Sequence, residues 1–403
     1  MAQRQRFLQF WWGQTASLLG DTTCLALLPL IAGLHLSASP GQMGILGFAI
    51  SLPFLLLALP AGVLVDRVSR RRVLILADLV RAAAMAGLML AMFFDALSLP
   101  ALYLTALTVA SATLFFDVAA QSILPELVSA DGYVGANSGL ELSRSAGTAG
   151  GPALAASLLQ AFGALAPLAV SMLFYLGAAG LYAGLPERSR PVAPHSGALR
   201  EVAEGMAFVV RHPVLRALTL CALLWNVAWF VFNTVFVLHA GSSLGLSAGE
   251  IGIALSLQGV GMGMGALIAR PLVGRLGIGI SLLVGPVTSA AALPVLLLAG
   301  PGTALPMAGA ALFLLGIGPS VWTVTQTSLR QAVTPSSLLG RVNATIRFAT
   351  AGMRPLGAIL GGALGSLIGI EATVAAAGLL FGLCILPVAL SSAARLKIMP
   401  GAA

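Results

Sequence analysis

Ionisable side chains are rare in this chain, and those that interrupt its apolar stretches mark where chemistry could occur. They are Asp21, Asp78, Arg81, Asp117, Glu141 and Arg144 in the first half, and Arg347 and Arg354 in the second. A charge at the centre of a membrane helix costs roughly 2.5–3.5 kcal/mol on insertion scales. Such residues therefore pair with one another or line a polar cavity. Asp21 sits midway along an apolar run with no other formal charge near it. Its carboxylate can exchange a proton, hold a cation, or hydrogen-bond a neighbouring helix. Asp78, Arg81, Asp117, Glu141 and Arg144 fall at similar depth, in the cytoplasmic third of their spans, with both signs present, which predicts an internal charge network that stabilises and gates the first half; direct contact of Asp117, Glu141 and Arg144 with substrate or protons is the alternative. Glu141 and Arg144, spaced i, i+3, can pair on one helix face. Arg354 and Arg347 have no acid at matching depth in the second half. They can attract an anionic group or face the first half.

A second constellation is aromatic. The stretch LLWNVAWFVFNTVF (223–236) places Trp225, Asn226, Trp229 and Asn233 on one apolar helix. With Gln258, and with Thr323 and Gln326 as further polar contacts, it offers a lining for a large, partly apolar ligand; a lipid-facing aromatic helix is the alternative. GVGMGMG (259–265) contains a GxGxxG-like pattern but lies mid-span with no strand before it, so it reads as a packing surface. The third constellation is GVLVDRVSRRR (62–72), with five charges in eleven positions. Arg70 to Arg72 read mainly as an anchor on the cytoplasmic side. An acid is not needed for that purpose, so Asp66 is expected to have a partner.

The elements that position these residues are long apolar helices. The chain has 403 residues, 58% hydrophobic and 8% charged. Apolar runs of the roughly 20 residues needed to cross a bilayer recur throughout, and only helices or closed barrels satisfy their backbone there. Windows between Pro, Gly and charge clusters predict an all-α integral membrane protein with twelve spans. The segment 186–213 differs, with three prolines near its start and charges of both signs. It reads as a cytoplasmic linker with an amphipathic helix at the membrane surface. The domains are then 1–185, 186–213 and 214–403, a six-helix bundle on either side of the linker. Basic residues at 4, 6, 67–72, 188–216, 270, 275, 330, 341, 395 and 397 all fall on one side if both termini are cytoplasmic. The opposite loops hold no Lys or Arg, as the positive-inside rule requires.

The net charge of +8 is accounted for by those loops, and nucleic-acid binding is not expected. Cys24, Cys221 and Cys384 lie far apart in apolar segments, without metal-ligand or CxxC spacing, so neither a metal site nor a disulfide framework is expected. No cofactor is expected. The four histidines lack HxxxH or HExxH spacing and no GxSxG occurs, which argues against an enzyme. No removable leader is expected at the N-terminus. The segment 121–159 is similar to 326–364: Gln121 and Gln326 close a span, and Arg144 and Arg347 each precede a proline by eight residues. Repeated halves are common in transporters, with the substrate site between them.

GVLVDRVSRRR resembles the signature between helices 2 and 3 of the major facilitator superfamily. That resemblance implies a gating role for Gly62, Asp66, Arg67 and Arg71, with the acid locking the two halves on the cytoplasmic side. The second-half copy, RPLVGRLGI (270–278), has Gly274 in the acid's place, and Arg341 is a possible partner for Asp66. Gly147, Gly151 and Pro152 resemble the antiporter motif of the same superfamily, although Ala155 and Ala156 replace its final glycines. Small residues there also allow close helix packing. WWGQTASLLGD, ADLVRA, FFDVAAQSILPELV and RHPVLR together resemble the branch of enterobactin exporters and macrolide efflux proteins. That branch often carries an arginine shortly after the residue corresponding to Asp117. Here Val118, Ala119 and Ala120 follow, so Asp117 needs another partner, with Arg81 a candidate. In the family, helices 1, 4, 7 and 10 line the cavity, which makes Asp21 the first choice for proton coupling. The resemblance implies a monomeric, proton-coupled exporter of drugs, macrolides or siderophores in the bacterial inner or plasma membrane. A lipid or lysophospholipid transporter, or a non-transporting sensor or subunit, are the alternatives.

Overall fold

The computed structural model describes residues 2–57, 60–61, 64–65, 68–128, 133–185 and 198–398. Among them there is helix and no strand. Helices α1 (Ala2–Leu30), α2 (Pro40–Leu56), α3 (Arg70–Phe93), α4 (Leu99–Leu127), α5 (Tyr133–Phe162) and α6 (Leu165–Ala183) come first. The linker helix α7 (Ala198–Arg211) follows, then α8 (Pro213–Leu238) and α9 (Ala248–Leu297). The chain ends with α10 (Ala304–Val333), α11 (Ser336–Leu367), α12 (Ile370–Leu383) and α13 (Ile385–Ala389). Eight of the described helices are long and apolar enough to cross a membrane. One of them, α9, runs 50 residues through a break at Gly277, whose φ of 79° interrupts the helical backbone. Helices α5 and α11 reach 30 and 32 residues but carry charged side chains.

The contacts form two compact units. One comprises 1–38, 49–194 and 247–256; the other comprises 39–48, 195–246 and 257–403. Within the first, α1 packs on α5 and α6, and α3 packs on α4 and α6. Its core gathers Phe10, Leu74, Phe116, Ile123 and Tyr182. Within the second, α8 packs on α11 and α12, and α7 packs on α11. The first turns of α2 belong to this unit, where a Cβ at Gly44 would come within 2.9 Å of the Gly362 Cα. Glycine permits that backbone approach, as it commonly does between membrane helices.

A repeat appears where the residues themselves differ. Both α1 and α8 continue into a π-helical turn, Ile31–His35 and His239–Ser243. Each turn is followed by a capping box. The Ser39 amide donates to Gln42 Oε1 at 2.8 Å, and the Ser247 amide donates to Glu250 Oε2 at 2.8 Å. Between turn and box one residue adopts a left-handed backbone, Ser37 at φ 49° and Gly245 at φ 68°. Gly163 and Gly369, before α6 and α12, form another matched pair at φ 74° and 87°.

The linker helix does not lie wholly at a lipid surface. Val209 is buried in a cluster with Leu215, Val342 and Ile346, so one edge of α7 docks on α11. Beside that cluster Arg341 Nη1 donates to Glu204 Oε2 at 2.6 Å, with both side chains 39% exposed.

Candidate functional site

The charged residues of the first unit converge on Arg81. Helix α1 presents Ser17 and Asp21, spaced i, i+4, toward α3, which presents Asp78 and Arg81, spaced i, i+3. Thr113 comes from α4 and Tyr175 from α6. Two α1 glycines make room for the α6 tyrosines. A Cβ on Gly20 would lie 2.9 Å from the Tyr175 ring, and one on Gly13 would lie 2.6 Å from the Tyr182 ring. The opposite side of α1 meets α5. Leu18 and Thr22 pack where a side chain on Gly147 or Gly151 would clash. Nearer the N-terminus of α1, Trp11 Nε1 donates to Gly139 O at 3.0 Å and to Ser143 Oγ at 2.9 Å.

Every N–H of the Arg81 guanidinium has a described acceptor. Nη1 donates to Asp21 Oδ2 at 2.7 Å and to Thr113 Oγ1 at 3.4 Å. Nη2 donates to Asp78 Oδ1 at 2.5 Å and to Ser17 Oγ at 2.9 Å, and Nε donates to Ala77 O at 3.4 Å. The guanidinium also lies 4.5 Å from the centre of the Phe116 ring and 4.8 Å from that of Tyr175. These are cation–π contacts in a water-poor setting. Asp21 accepts on both oxygens, with Oδ1 taking hydrogen bonds from Tyr175 OH at 2.8 Å and Thr113 Oγ1 at 3.1 Å. Asp78 accepts on Oδ1 alone, from Arg81 and from Ser17 Oγ at 2.9 Å. Its Oδ2 is buried without a hydrogen-bond partner among the described residues. The side chains of Arg81 and Asp78 are 0% exposed and that of Asp21 is 9% exposed.

The sequence separates Asp21, at mid-depth, from a network of Asp78, Arg81, Asp117, Glu141 and Arg144 nearer the cytoplasmic side; the structure joins Asp21 to Asp78 and Arg81. Asp117 and Arg144 have interactions of their own, Arg144 being on the exposed side of α5, and the Glu141 side chain lies outside the described set. Gly62, Asp66 and Arg67 also lie outside the described residues, so the gating stretch is represented by Arg71. Its Nη2 donates to Ala183 O at 2.5 Å, satisfying a carbonyl at the C-terminal end of α6. Arg341, expected to pair with Asp66, is held by Glu204. Sequence reasoning missed Ser17, Thr113 and Tyr175 as partners. The available signal was the i, i+4 spacing of Ser17 and Asp21 on one face of α1.

The aromatic constellation belongs to the second unit. Trp225 and Trp229 stack with ring centres 5.7 Å apart and planes 4° from parallel. Trp225 Nε1 donates to Ser289 Oγ at 3.0 Å, and its ring lies 5.9 Å from that of Phe381. Both tryptophans are half-buried. Asn226 donates within its own helix to Ala222 O at 2.9 Å, Asn233 is exposed, and Gln258 is half-buried on α9. Two glycines of GVGMGMG, Gly261 and Gly265, pack on α10, a Cβ on Gly265 lying 2.8 Å from that of Ser320, while Gly263 faces open space. Arg354 is a half-buried residue of α11 with interactions of its own.

Ionisable residues held inside membrane-length helices mark a functional site, and residues 10–354 match the Major Facilitator Superfamily. The chain belongs to that superfamily: it is a transporter rather than an enzyme, and a multi-pass protein of the cell membrane. Among individual proteins it is similar to Macrolide efflux protein A of Streptococcus pyogenes, at 27% identity over 91% of each chain. It is also similar to the Enterobactin exporter EntS of Citrobacter koseri, at 28% identity over 80% of this chain and 76% of the relative. The Multidrug efflux pump Tap of Mycolicibacterium fortuitum is 27% identical over 89% of both. The fold matches the crystal structure of the nucleoside transporter NupG, with a TM-score of 0.76 at 12% identity over 96% of this chain and 98% of that one. It matches an inward-facing bacterial homologue of the iron transporter ferroportin with a TM-score of 0.74 at 18% identity, over 95% and 98%.

Proposed function

We propose that this protein is a proton-driven exporter of a small amphipathic molecule of the drug, macrolide or siderophore class. The observation that carries the reading is the buried Asp21–Arg81–Asp78 centre, where two carboxylates share one guanidinium. With both acids ionised the centre is one charge short of balance, and an uncompensated buried charge costs several kcal/mol. Gaining or losing one proton is the cheapest way to change that balance. Export rather than uptake is supported by the efflux relatives and by the small-residue run Gly147, Gly151 and Pro152, which lets α5 sit against α1 beside Asp21.

On this reading the chain has twelve spans with both termini cytoplasmic, in halves 1–185 and 214–403 joined by 186–213. It works as a monomer by alternating access. Asp66, with Gly62 and Arg67, gates the cytoplasmic side, and the Glu204–Arg341 pair ties the linker helix to α11. Trp225, Trp229 and Gln258 give the substrate apolar and polar contacts, and Arg354 attracts an anionic group on it.

The test is transport by reconstituted protein in vesicles with an imposed pH gradient, offered macrolides, catecholate siderophores, cationic dyes and lysophospholipids in turn. Gradient-dependent movement of one of the first three is the expected result. Movement of lysophospholipid indifferent to the gradient supports a lipid transporter, and movement of none of them overturns the reading.

A further inference from the structure

We propose that the exchangeable proton of the buried centre resides on Asp78, at Oδ2, and that Asp21 serves to position Arg81. The inference deepens the proposed function and rests on it for the meaning of proton release in transport. The protonation state itself is argued from the charges and hydrogen bonds alone.

The groups around the Asp21–Arg81–Asp78 cluster can be named helix by helix. From α1 come Ser17, Asp21 and, one turn further on, Cys24; α3 itself contributes Arg81. From α4 come Thr113 and Phe116, and from α6 come Tyr175 and Tyr182. Among these, the groups charged at neutral pH are two carboxylates and one guanidinium. The cluster is neutral when one acid holds a proton and carries one negative charge when neither does. Burial strongly favours the neutral form, because nothing else described in the cluster supplies a positive charge.

The hydrogen bonds decide which acid is protonated. A proton on either oxygen of Asp21 would confront a donor already aimed there: Tyr175 and Thr113 at Oδ1, Arg81 at Oδ2. One of those bonds would be lost in a buried site, at a cost of about 1–3 kcal/mol. A proton on Asp78 Oδ2 displaces nothing, since that oxygen has no described partner. Oδ1 then remains a carbonyl oxygen accepting from Arg81 and Ser17. Losing the proton leaves Asp78 as a carboxylate and takes the cluster from neutral to one negative charge. Regaining it restores the resting state, and no bond between heavy atoms is made or broken.

Infrared difference spectroscopy on the purified full-length chain reads a protonated carboxyl directly, through its carbonyl stretch, and needs no substrate. At neutral pH the wild type is expected to show one such buried band. Asp78→Glu shifts it and Asp21→Glu leaves it in place. Asp78→Asn abolishes it. Asp21→Asn abolishes it too, because Asp78 then balances Arg81 as an ion. Where the glutamate variants do not fold, milder changes make the same distinction: Ser17→Ala removes a donor to the carbonyl and raises the frequency, while Tyr175→Phe leaves it unchanged. A band that follows Asp21→Glu or Tyr175→Phe, or the absence of any band in the wild type, overturns the proposal. A band with the expected behaviour in a protein that shows no gradient-driven transport removes the exporter reading and leaves the protonation of Asp78 standing. Gradient-driven transport without the band removes the protonation alone.

Discussion

Where the first unit places Asp21 on α1, the second places Trp229 on α8, and the substitution extends around the whole site. Counted from the matched π-helical turns, Ser17 and Asp21 correspond to Trp225 and Trp229. Counted from the related stretches at 66–67 and 274–275, Asp78 and Arg81 correspond to Pro286 and Ser289. Counted from the left-handed glycines at 163 and 369, Tyr175 corresponds to Phe381. One hydrogen bond follows the same correspondence. Arg81 donates to Ser17 in one unit, and Trp225 donates to Ser289 in the other. The rings on α6 and α12 do not follow it: Tyr175 covers Arg81, whereas Phe381 lies beside Trp225, the counterpart of Ser17. One scaffold thus holds a hydrogen-bonded charge centre in one copy and an aromatic stack in the other. The proposed labour divides accordingly: protons are handled in the first unit and apolar substrate surface is met in the second.

The largest expected effect breaks the charged side of that comparison. Arg81→Ala leaves the Asp21 carboxylate buried without its cation and costs about 3–5 kcal/mol, read as a large drop in thermal unfolding temperature. Adding Asp21→Asn and Asp78→Asn to it removes the stranded charge and restores much of the stability. Unchanged unfolding of the single variant means that the centre is hydrated and the comparison fails.

A smaller effect follows from crowding the same site without touching its charges. Gly20→Ala places a methyl against the Tyr175 ring. Overpacking of this kind costs roughly 1–3 kcal/mol and moves Tyr175 OH away from Asp21. Gradient-driven transport falls while downhill exchange of the same substrate persists. The aromatic side is next: Trp229→Ala removes a stacked pair worth about 0.5–1.5 kcal/mol. Its signature is a raised KM for substrate with the pH dependence unchanged. A changed pH dependence instead means that the two units do not divide the work as proposed. The smallest effect concerns the backbone. Ser37 occupies the left-handed position that glycine holds at 245, and Ser37→Gly is expected to stabilise the protein by about 1 kcal/mol, seen as a slightly higher unfolding temperature.

Much of the site was legible because charge is so costly in an apolar helix that Asp21, Asp78 and Arg81 stand out by type alone. Their convergence was not, because counting residues along each span assigns a depth but says nothing of tilt or of which faces meet. That is why the sequence sets Asp21 apart from Asp78 and Arg81. Ser17, Thr113 and Tyr175 were hidden for a different reason: hydroxyls are common in membrane helices, where they usually bond their own backbone, as Thr22 does to Leu18 O at 2.9 Å. The repeat between 121–159 and 326–364 could be read from shared residues. The equivalence of Asp21 with Trp229 could not, since the two share no chemistry and only the π-helical turns and capping boxes bring them into register. The packing role of Gly147 and Gly151 was legible from residue size, and their contact with Leu18 and Thr22 gives it a location.

Coupling of transport to protons at the charge centre of the first unit is read by comparing wild type with Asp21→Asn. Vesicles containing wild type or Asp21→Asn are loaded with the same transported compound, and its movement is followed with and without an imposed pH gradient. The variant is expected to keep downhill movement and lose the uphill component, so that its two traces coincide. Uphill movement by Asp21→Asn at the wild-type level would contradict it.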